Sequence, residues 1–326
     1  MKLAARIALV VGLGVMIALI AREGALGIVK LLSQASWQLL WLLPLHALPL
    51  LLDAVGWRAI ILARCKVVTL FWIATVRQAI NGLLPVANIG GEIVGIRLLT
   101  RSGVNGTAAA GSVIVEVLLT LIGQYLFVAL GVAFLLRITD AVRLSVELLI
   151  TLLASAPLIA LLVALLRHGA IFERLARIAH ALGPKVLGTG ARGAEVDIAV
   201  RNLLTAHARL ACTLAWQFAG LLAECIETWA ALCCLGVSVE FPKALVLESL
   251  TQAARQLVFI VPAGLGVQEL GLVAVGHVLG LSGEVALALS LAKRMTRIVF
   301  GIPALLSWQW TEARGGAEEV RSDLGT

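Results

Sequence analysis

Charge is scarce in this chain, and so are the residues of most catalytic sites. Only 14% of its 326 residues are Asp, Glu, Lys or Arg, and aspartate occurs just at 53, 140, 197 and 323. A soluble domain carries about 25% charged residues, so too little polar surface is present to cover a water-facing globule. With so few acids there is no paired-aspartate metal motif, and no HExxH, GxSxG or P-loop lysine pattern occurs either. His46, His168, His180, His207 and His277 are scattered. Cys65, Cys212, Cys225, Cys233 and Cys234 lack metal-ligand spacing and read as buried, inert thiols. Neither an enzyme activity nor a cofactor is expected. Aromatic residues make up 5% and there is one tyrosine, so no platform exists for reading bases and nucleic acid is not an expected partner. The net charge of +7 points to basic loops beside an anionic inner leaflet.

Apolar residues are what the chain has in excess: 60% of positions, with a mean hydropathy of +1.01. They recur as runs at Ile7–Ala21, Trp37–Leu52, Val113–Leu136, Leu148–Leu166, Leu210–Leu235 and Val285–Trp310. Each is near or beyond the roughly 20 residues a helix needs to cross about 30 Å of hydrocarbon. A membrane β-barrel would show alternating segments of about 10 residues, and none is present. The expected class is an all-α polytopic membrane protein with about six spanning helices. Lys2 and Arg6 precede the first run, which reads as a retained span or signal anchor.

Basic residues set orientation. Arg167, Arg174, Arg177, Lys185, Arg192, Arg201 and Arg209 face only Glu173, Glu195 and Asp197 in the connection 167–209, so this connection is expected inside. Lys2, Arg6, Arg58, Arg64 and Lys66 belong on the same side. Were Phe71–Leu84 a complete crossing, two further spans would carry 167–209 outside. The conflict disappears if residues 69–101 enter the membrane and return to the same face. Asn81-Gly82, Pro85, Asn88 and Gly90-Gly91 interrupt that run and are poor residues for a continuous helix.

The second half repeats the signal. Arg77-Gln78, Pro85 and Glu92 correspond to Arg255-Gln256, Pro262 and Glu269, with seven residues from proline to glutamate in both. Each interval holds two glycines, Gly90 and Gly91 in one and Gly264 and Gly266 in the other. Another ionisable residue follows each glutamate by 24 positions, Glu116 or Lys293. Counted onward from the inside loop, the second hairpin, near 241–282, enters from the opposite face. The expected architecture is thus two Pro/Gly-broken re-entrant hairpins in an inverted repeat, an arrangement transporters use around a midplane site. Its parts are a first membrane half (1–166), the basic connection (167–209), a second half (210–312) and a cytoplasmic tail (313–326).

Irregular backbone at membrane depth needs protein or a water-filled cavity to satisfy its polar groups. Helix starts after Gly91 and Gly266 would favour an anion, and Arg77, Arg97, Arg255, Arg294 and Arg297 add positive charge. Glu92, Glu116 and Glu269 are their expected partners. Together with Asn81, Pro85, Gly90, Gly91, Pro262, Gly264, Gly266 and Lys293 they are candidates for a substrate path or head-group site. Glu224 and Glu227 share a helix face and are candidates for a proton relay. Asp53 reads as an interfacial anchor paired with Arg58. Trp37, Trp41, Trp308 and Trp310 fit aromatic belts. Ile171, Leu175, Ile178 and Leu182, set among Arg174, Arg177 and His180, suggest a surface amphipathic helix.

The segment Asn81-Gly-Leu-Leu-Pro85 running to Gly91-Glu92 and Arg97, with Pro262-Ala-Gly-Leu-Gly266-Val-Gln-Glu269, resembles the flippase-like membrane domain of lysylphosphatidylglycerol synthases. Within that superfamily it is most similar to the HpnL group of hopanoid-biosynthesis-associated membrane proteins. The resemblance covers nearly the whole chain and implies a helical bacterial inner-membrane domain with re-entrant segments that moves lipid between leaflets. The chain departs from it where Val117 follows Glu116, a place often held by arginine in the family. The expected function is lipid translocation, with both termini cytoplasmic and membrane phospholipids or hopanoids as partners. A membrane scaffold for lipid-biosynthetic enzymes and a lipid-modifying transferase fit the same residues.

Overall fold

The structure, a computed structural model, describes residues 2–61, 65–84, 90–138, 142–169, 193–257 and 265–323, and every regular element among them is helical. Pro85, Asn88, Pro262, Gly264, the amphipathic pattern at 171–182 and most of the basic connection lie outside these residues. The helices are α1 (Lys2–Glu23), α2 (Ala25–Ala35), a short 3-10 segment (Ser36–Trp41), α3 (Leu42–Ile60), α4 (Val67–Leu83), α5 (Gly90–Arg101) and α6 (Gly106–Ile138). They continue as α7 (Val142–His168), α8 (Gly193–Thr205), α9 (His207–Cys234), α10 (Phe241–Leu257), α11 (Val267–Val278) and α12 (Gly283–Asp323).

Four described stretches are long and apolar enough to cross a bilayer: Trp37–Ile60, Gly106–Ile138, Val146–His168 and His207–Cys234. The chain is a multi-pass membrane protein. The expected span at Val285–Trp310 is part of a 41-residue helix, α12, and differs from these four in carrying Lys293, Arg294 and Arg297 along its length. Two helix–break–helix units accompany the long helices. In the first, α4 has 17 residues and α5 has 12; in the second, α10 has 17 and α11 has 12. Over its described residues, each leg is shorter than the roughly 20 residues of a crossing.

Sequence chemistry accounts for several boundaries. Asn105 caps α6, its Oδ1 accepting the Thr107 N–H at 2.9 Å, which satisfies one of the free amides of the first turn. The long α6 then runs through both halves of the interior. Its early residues join a buried cluster with Trp57, Leu70, Ile73, Leu99 and Val200, while Val132 and Leu135 join one with Leu42, Leu232, Leu247 and Leu289. Between them Phe127 packs with Leu221, Cys225 and Leu245, edge-on to Phe218 at 6.4 Å.

Helices α3 and α9 form the most extensive pair in the molecule. A hydrophobic driving force is absent between helices in lipid, so close backbone approach and hydrogen bonds must supply the attraction. Small residues allow it here: a side chain at Gly56 would meet Trp216 Cβ at 3.0 Å, and the Thr213 hydroxyl donates to the Gly56 carbonyl at 2.9 Å.

Outward-facing groups modify some expectations. Trp37, Trp41 and Trp310 are exposed, as span-end tryptophans should be, but Trp308 packs against the first cluster. Cys65 and Cys225 are buried thiols as expected, whereas Cys212 and Cys233 are exposed on the outer flank of α9. Gly56→Val should separate α3 from α9 and cost about 1–3 kcal/mol, the usual range for overpacking. Thermal unfolding in detergent, with Gly14→Ala on the open face of α1 as the near-neutral control, measures this difference.

Candidate functional site

Two networks of charged side chains occupy the interior, one at each helix–break–helix unit. The first is built on Arg77, in the last turns of α4. Its guanidinium donates to Glu92 of α5 and, at 2.6 Å, to Glu116 of α6. Arg77 and Glu116 are both buried. Trp57 of α3 lies under the guanidinium, 4.9 Å from its ring centroid, a cation–π contact that shields the remaining face of the charge. One arginine thus fastens four helices.

The break between α4 and α5 is tied into the same network. Asn81 donates to Glu92 at 3.3 Å and accepts the Gly91 N–H at 2.8 Å. A Cβ on Gly91 would stand 2.5 Å from the Arg77 carbonyl oxygen and 2.7 Å from Asn81 Oδ1. Glycine is required there because backbone and amide occupy the space a side chain would take. Gln217 of α9 completes the wall, donating to Thr120 at 2.9 Å and to the Glu116 carbonyl at 3.3 Å.

The second network is larger. Lys293 of α12 reaches Glu248 of α10 at 2.5 Å and Thr228 of α9 at 2.7 Å. Thr228 in turn donates to Glu248 at 2.6 Å, and Gln252 bridges Glu248 to Glu224. Glu227, one turn from Glu224, holds the His46 ring nitrogen Nδ1 at 3.1 Å and accepts from Thr296 at 3.2 Å. Glu269 of α11 takes Arg294 Nε at 2.8 Å and the Ser290 hydroxyl at 2.8 Å, and it caps its own helix by accepting the Gly266 N–H at 2.8 Å. Gly266 adopts φ +76°, which glycine reaches without the steric penalty of other residues. Arg255 and Arg297 both point at the side-chain oxygen of Gln268, at 3.5 and 2.8 Å.

The candidates therefore divide. Arg77, Asn81, Gly90, Gly91, Glu92 and Glu116 converge on the first network or its break, and Arg255, Gly266, Glu269, Lys293, Arg294, Arg297, Glu224 and Glu227 on the second. Arg97 does not join them. It is a largely exposed side chain that shares Glu312 with Arg101, each at 3.0 Å, because its place on α5 faces away from Arg77. The repeat also exchanges partners. Arg77 pairs with the glutamate of its own unit, but Glu269 is paired by Arg294 of α12, and Arg255 lies 4.0 Å from Glu248 instead. Asp53 is not an interfacial partner of Arg58. Its side chain lies near Gln217 and in the field of Arg77.

Residues 4–304 match the family described as the lysylphosphatidylglycerol synthase TM region. The chain belongs to that family. Curated proteins give no match to it. Both networks lie wholly within the part matched to this lipid-related membrane family, while Glu312, the partner of Arg97 and Arg101, lies beyond it.

Sequence reasoning overlooked Glu248, His46, Gln217, Gln252, Gln268, Thr228 and Ser290. Glu248 carried a usable signal: it lies seven residues before Arg255 and four before Gln252, on one face of α10. His46 had none, since its partner Glu227 is 181 residues away. Removing one member of a buried pair leaves the other uncompensated, at about 3–5 kcal/mol. Arg77→Gln should therefore destabilise the protein strongly, whereas Arg97→Gln should stay within about 0.5 kcal/mol of the parent. Detergent melting curves of the two variants, and of Arg77→Gln combined with Glu116→Gln for their coupling, check this.

Proposed function

We propose that this protein is a lipid translocase of the bacterial inner membrane, carrying a polar head group past the two charged networks while the tails stay in the bilayer. One observation supports the reading most directly. Charged residues in a membrane interior are expensive and mark substrate or ion paths by default, and here they concentrate where two helix–break–helix units with legs of 17 and 12 residues meet the long helices. Short legs and broken backbone are the features of discontinuous helices that form midplane transport sites.

On this reading the units are re-entrant hairpins of an inverted repeat, and both chain termini face the cytoplasm. Glu92 and Glu269 hold each second leg in place, the first through Arg77 and the second through Arg294. Glu224 and Glu227, one turn apart and joined to different partners, are the carboxyls placed to relay protons if movement is ion-coupled. The resemblance to hopanoid-associated members makes hopanoid lipids and the enzymes that build them the natural context. No catalytic step is assigned to the chain.

Two experiments test the proposal. In liposomes holding the purified protein and a fluorescent phospholipid, Glu92→Lys and Glu269→Lys should abolish transbilayer movement, with Arg97→Gln retaining it. Full transport by both glutamate variants would sink the reading. In a cysteine-free background, Arg101→Cys should react from the cytoplasmic side and Ser282→Cys from the other; labelling of both from one side would remove the inverted repeat.

A further inference from the structure

Outside the charged networks the described residues form a large apolar groove of about 750 Å³ between α6, α7, α10 and α11. This volume lies in the range of about 300–1,000 Å³ typical of ligand sites. Tyr125 of α6, Leu158 and Leu161 of α7, Ala254 and Gln256 of α10 and Val275 of α11 contribute to its walls. Leu158 and Leu161 are exposed along the outer wall. Three of the lining residues are small, Ala253, Ala254 and Ala274, which leaves room for an elongated occupant.

Arg255 stands between two of the lining residues, Ala254 and Gln256, and turns to the adjoining face of α10. There it meets Arg297, both guanidiniums sharing the neutral amide oxygen of Gln268. Most nearby carboxylates have donors of their own: Glu248 has Lys293, Glu269 has Arg294, and Glu227 has His46 and Thr296. Glu224 acts on Arg297 through space, while its own hydrogen bond comes from Gln252. Two like charges therefore converge on an acceptor that carries no charge, while the carboxylates around them are shared: Glu248, 4.0 Å from Arg255, is already held by Lys293, and Glu224, Glu227 and Glu248 act on Arg297 only through space. A phosphate oxygen would replace that amide oxygen with charge-assisted hydrogen bonds about twice as strong, and a guanidinium can hold it by two parallel bonds.

The groove and the arginines do different work. Lipid tails are as apolar as leucine, so a chain gains little by leaving bulk lipid for an apolar groove. Affinity must come from the head group, and the groove supplies shape. Resting on the translocase reading, we infer that the groove between α6, α7, α10 and α11 holds the hydrocarbon of a lipid whose phosphate binds Arg255 and Arg297. The preferred substrate class is then an anionic phospholipid, and a lipid with a neutral head is a poor substrate.

The test is photolabelling of the full chain in nanodiscs by phosphatidic acid bearing a diazirine in one acyl chain, against diacylglycerol with the same chains. Phosphatidic acid should label peptides of α6 and α7 at least tenfold more than diacylglycerol does. Combined Arg255→Gln and Arg297→Gln should remove that preference, and Arg255→Lys with Arg297→Lys should restore part of it. Should the glutamine variant fail to fold, unlabelled short-chain phosphatidic acid should still displace the label from the parent protein, while short-chain diacylglycerol should not. Equal labelling by the two lipids, or displacement by both alike, overturns the site. Labelling measures binding alone, so an arginine-dependent label without transport in liposomes would keep the site and discard the translocase. Transport with label indifferent to the arginines would do the reverse.

Discussion

Arg77 is held by Glu92 and Glu116 at the meeting point of α4, α5 and α6, with Trp57 of α3 against its open face. In water such a cluster would contribute little, because exposed ion pairs are worth about 0–1 kcal/mol. In hydrocarbon the comparison changes. An unpaired arginine at a helix centre is opposed by at least about 2.5–3.5 kcal/mol on insertion scales, so the charge must bring its partners with it. Apolar contact cannot specify which helices meet, since lipid offers the same contact everywhere. Ion pairs and hydrogen bonds between distant segments can. The Arg77 cluster fixes the first half in this way, and Lys293 with Glu248 and Thr228 fixes α12 against α10 and α9.

Pairing of this kind also explains how two similar units come to differ. Both have legs of 17 and 12 residues, an arginine in the first leg and a glutamate at the start of the second. In the first unit these residues pair directly. In the second, α12 supplies Arg294 to the glutamate and Lys293 to Glu248, which leaves Arg255 beside a neutral amide and 4.0 Å from a carboxylate already held by Lys293. Where the first unit has Glu116, 24 residues past the glutamate, the second has Lys293. That single reversal of charge requires a new acid, Glu248, and displaces Arg255 from the role of its counterpart.

The membrane class and most charged members of the two networks were legible in the sequence because each is a local property. Composition excludes a soluble globule, and a charge inside an apolar run is conspicuous, whereas Asn81-Gly82 lies within α4 and Pro49, Pro157 and Pro303 lie within helices. Partnership was not legible. Asp53 sits three residues after Leu50 and five before Arg58, and nothing local says that it faces Gln217 rather than the membrane surface. Arg97 follows Glu92 by five residues, which turns it well away from the Glu92 face of the helix. A closer reading of periodicity would have separated Arg97 from the site, whereas no reading of periodicity would have joined His46 to Glu227.

The asymmetry between the two units bears on how a translocase built this way would divide its tasks. A charge already paired with two carboxylates has little to gain from a passing head group, and moving it would expose the buried charges of Arg77 and Glu116 together. The Arg77 cluster is therefore suited to hold geometry while something else moves. The Arg255–Arg297 pair is the opposite case. Its shared acceptor is neutral, Arg255 stands in sequence between two residues that line an apolar groove, and it is a quarter exposed. An anionic head group arriving there improves the electrostatics of the resting state instead of disrupting them. Differential interaction of that sign is what a ligand needs in order to shift a conformational equilibrium. On the translocase reading, substrate-driven rearrangement thus begins in the second unit, against a first unit that stays closed.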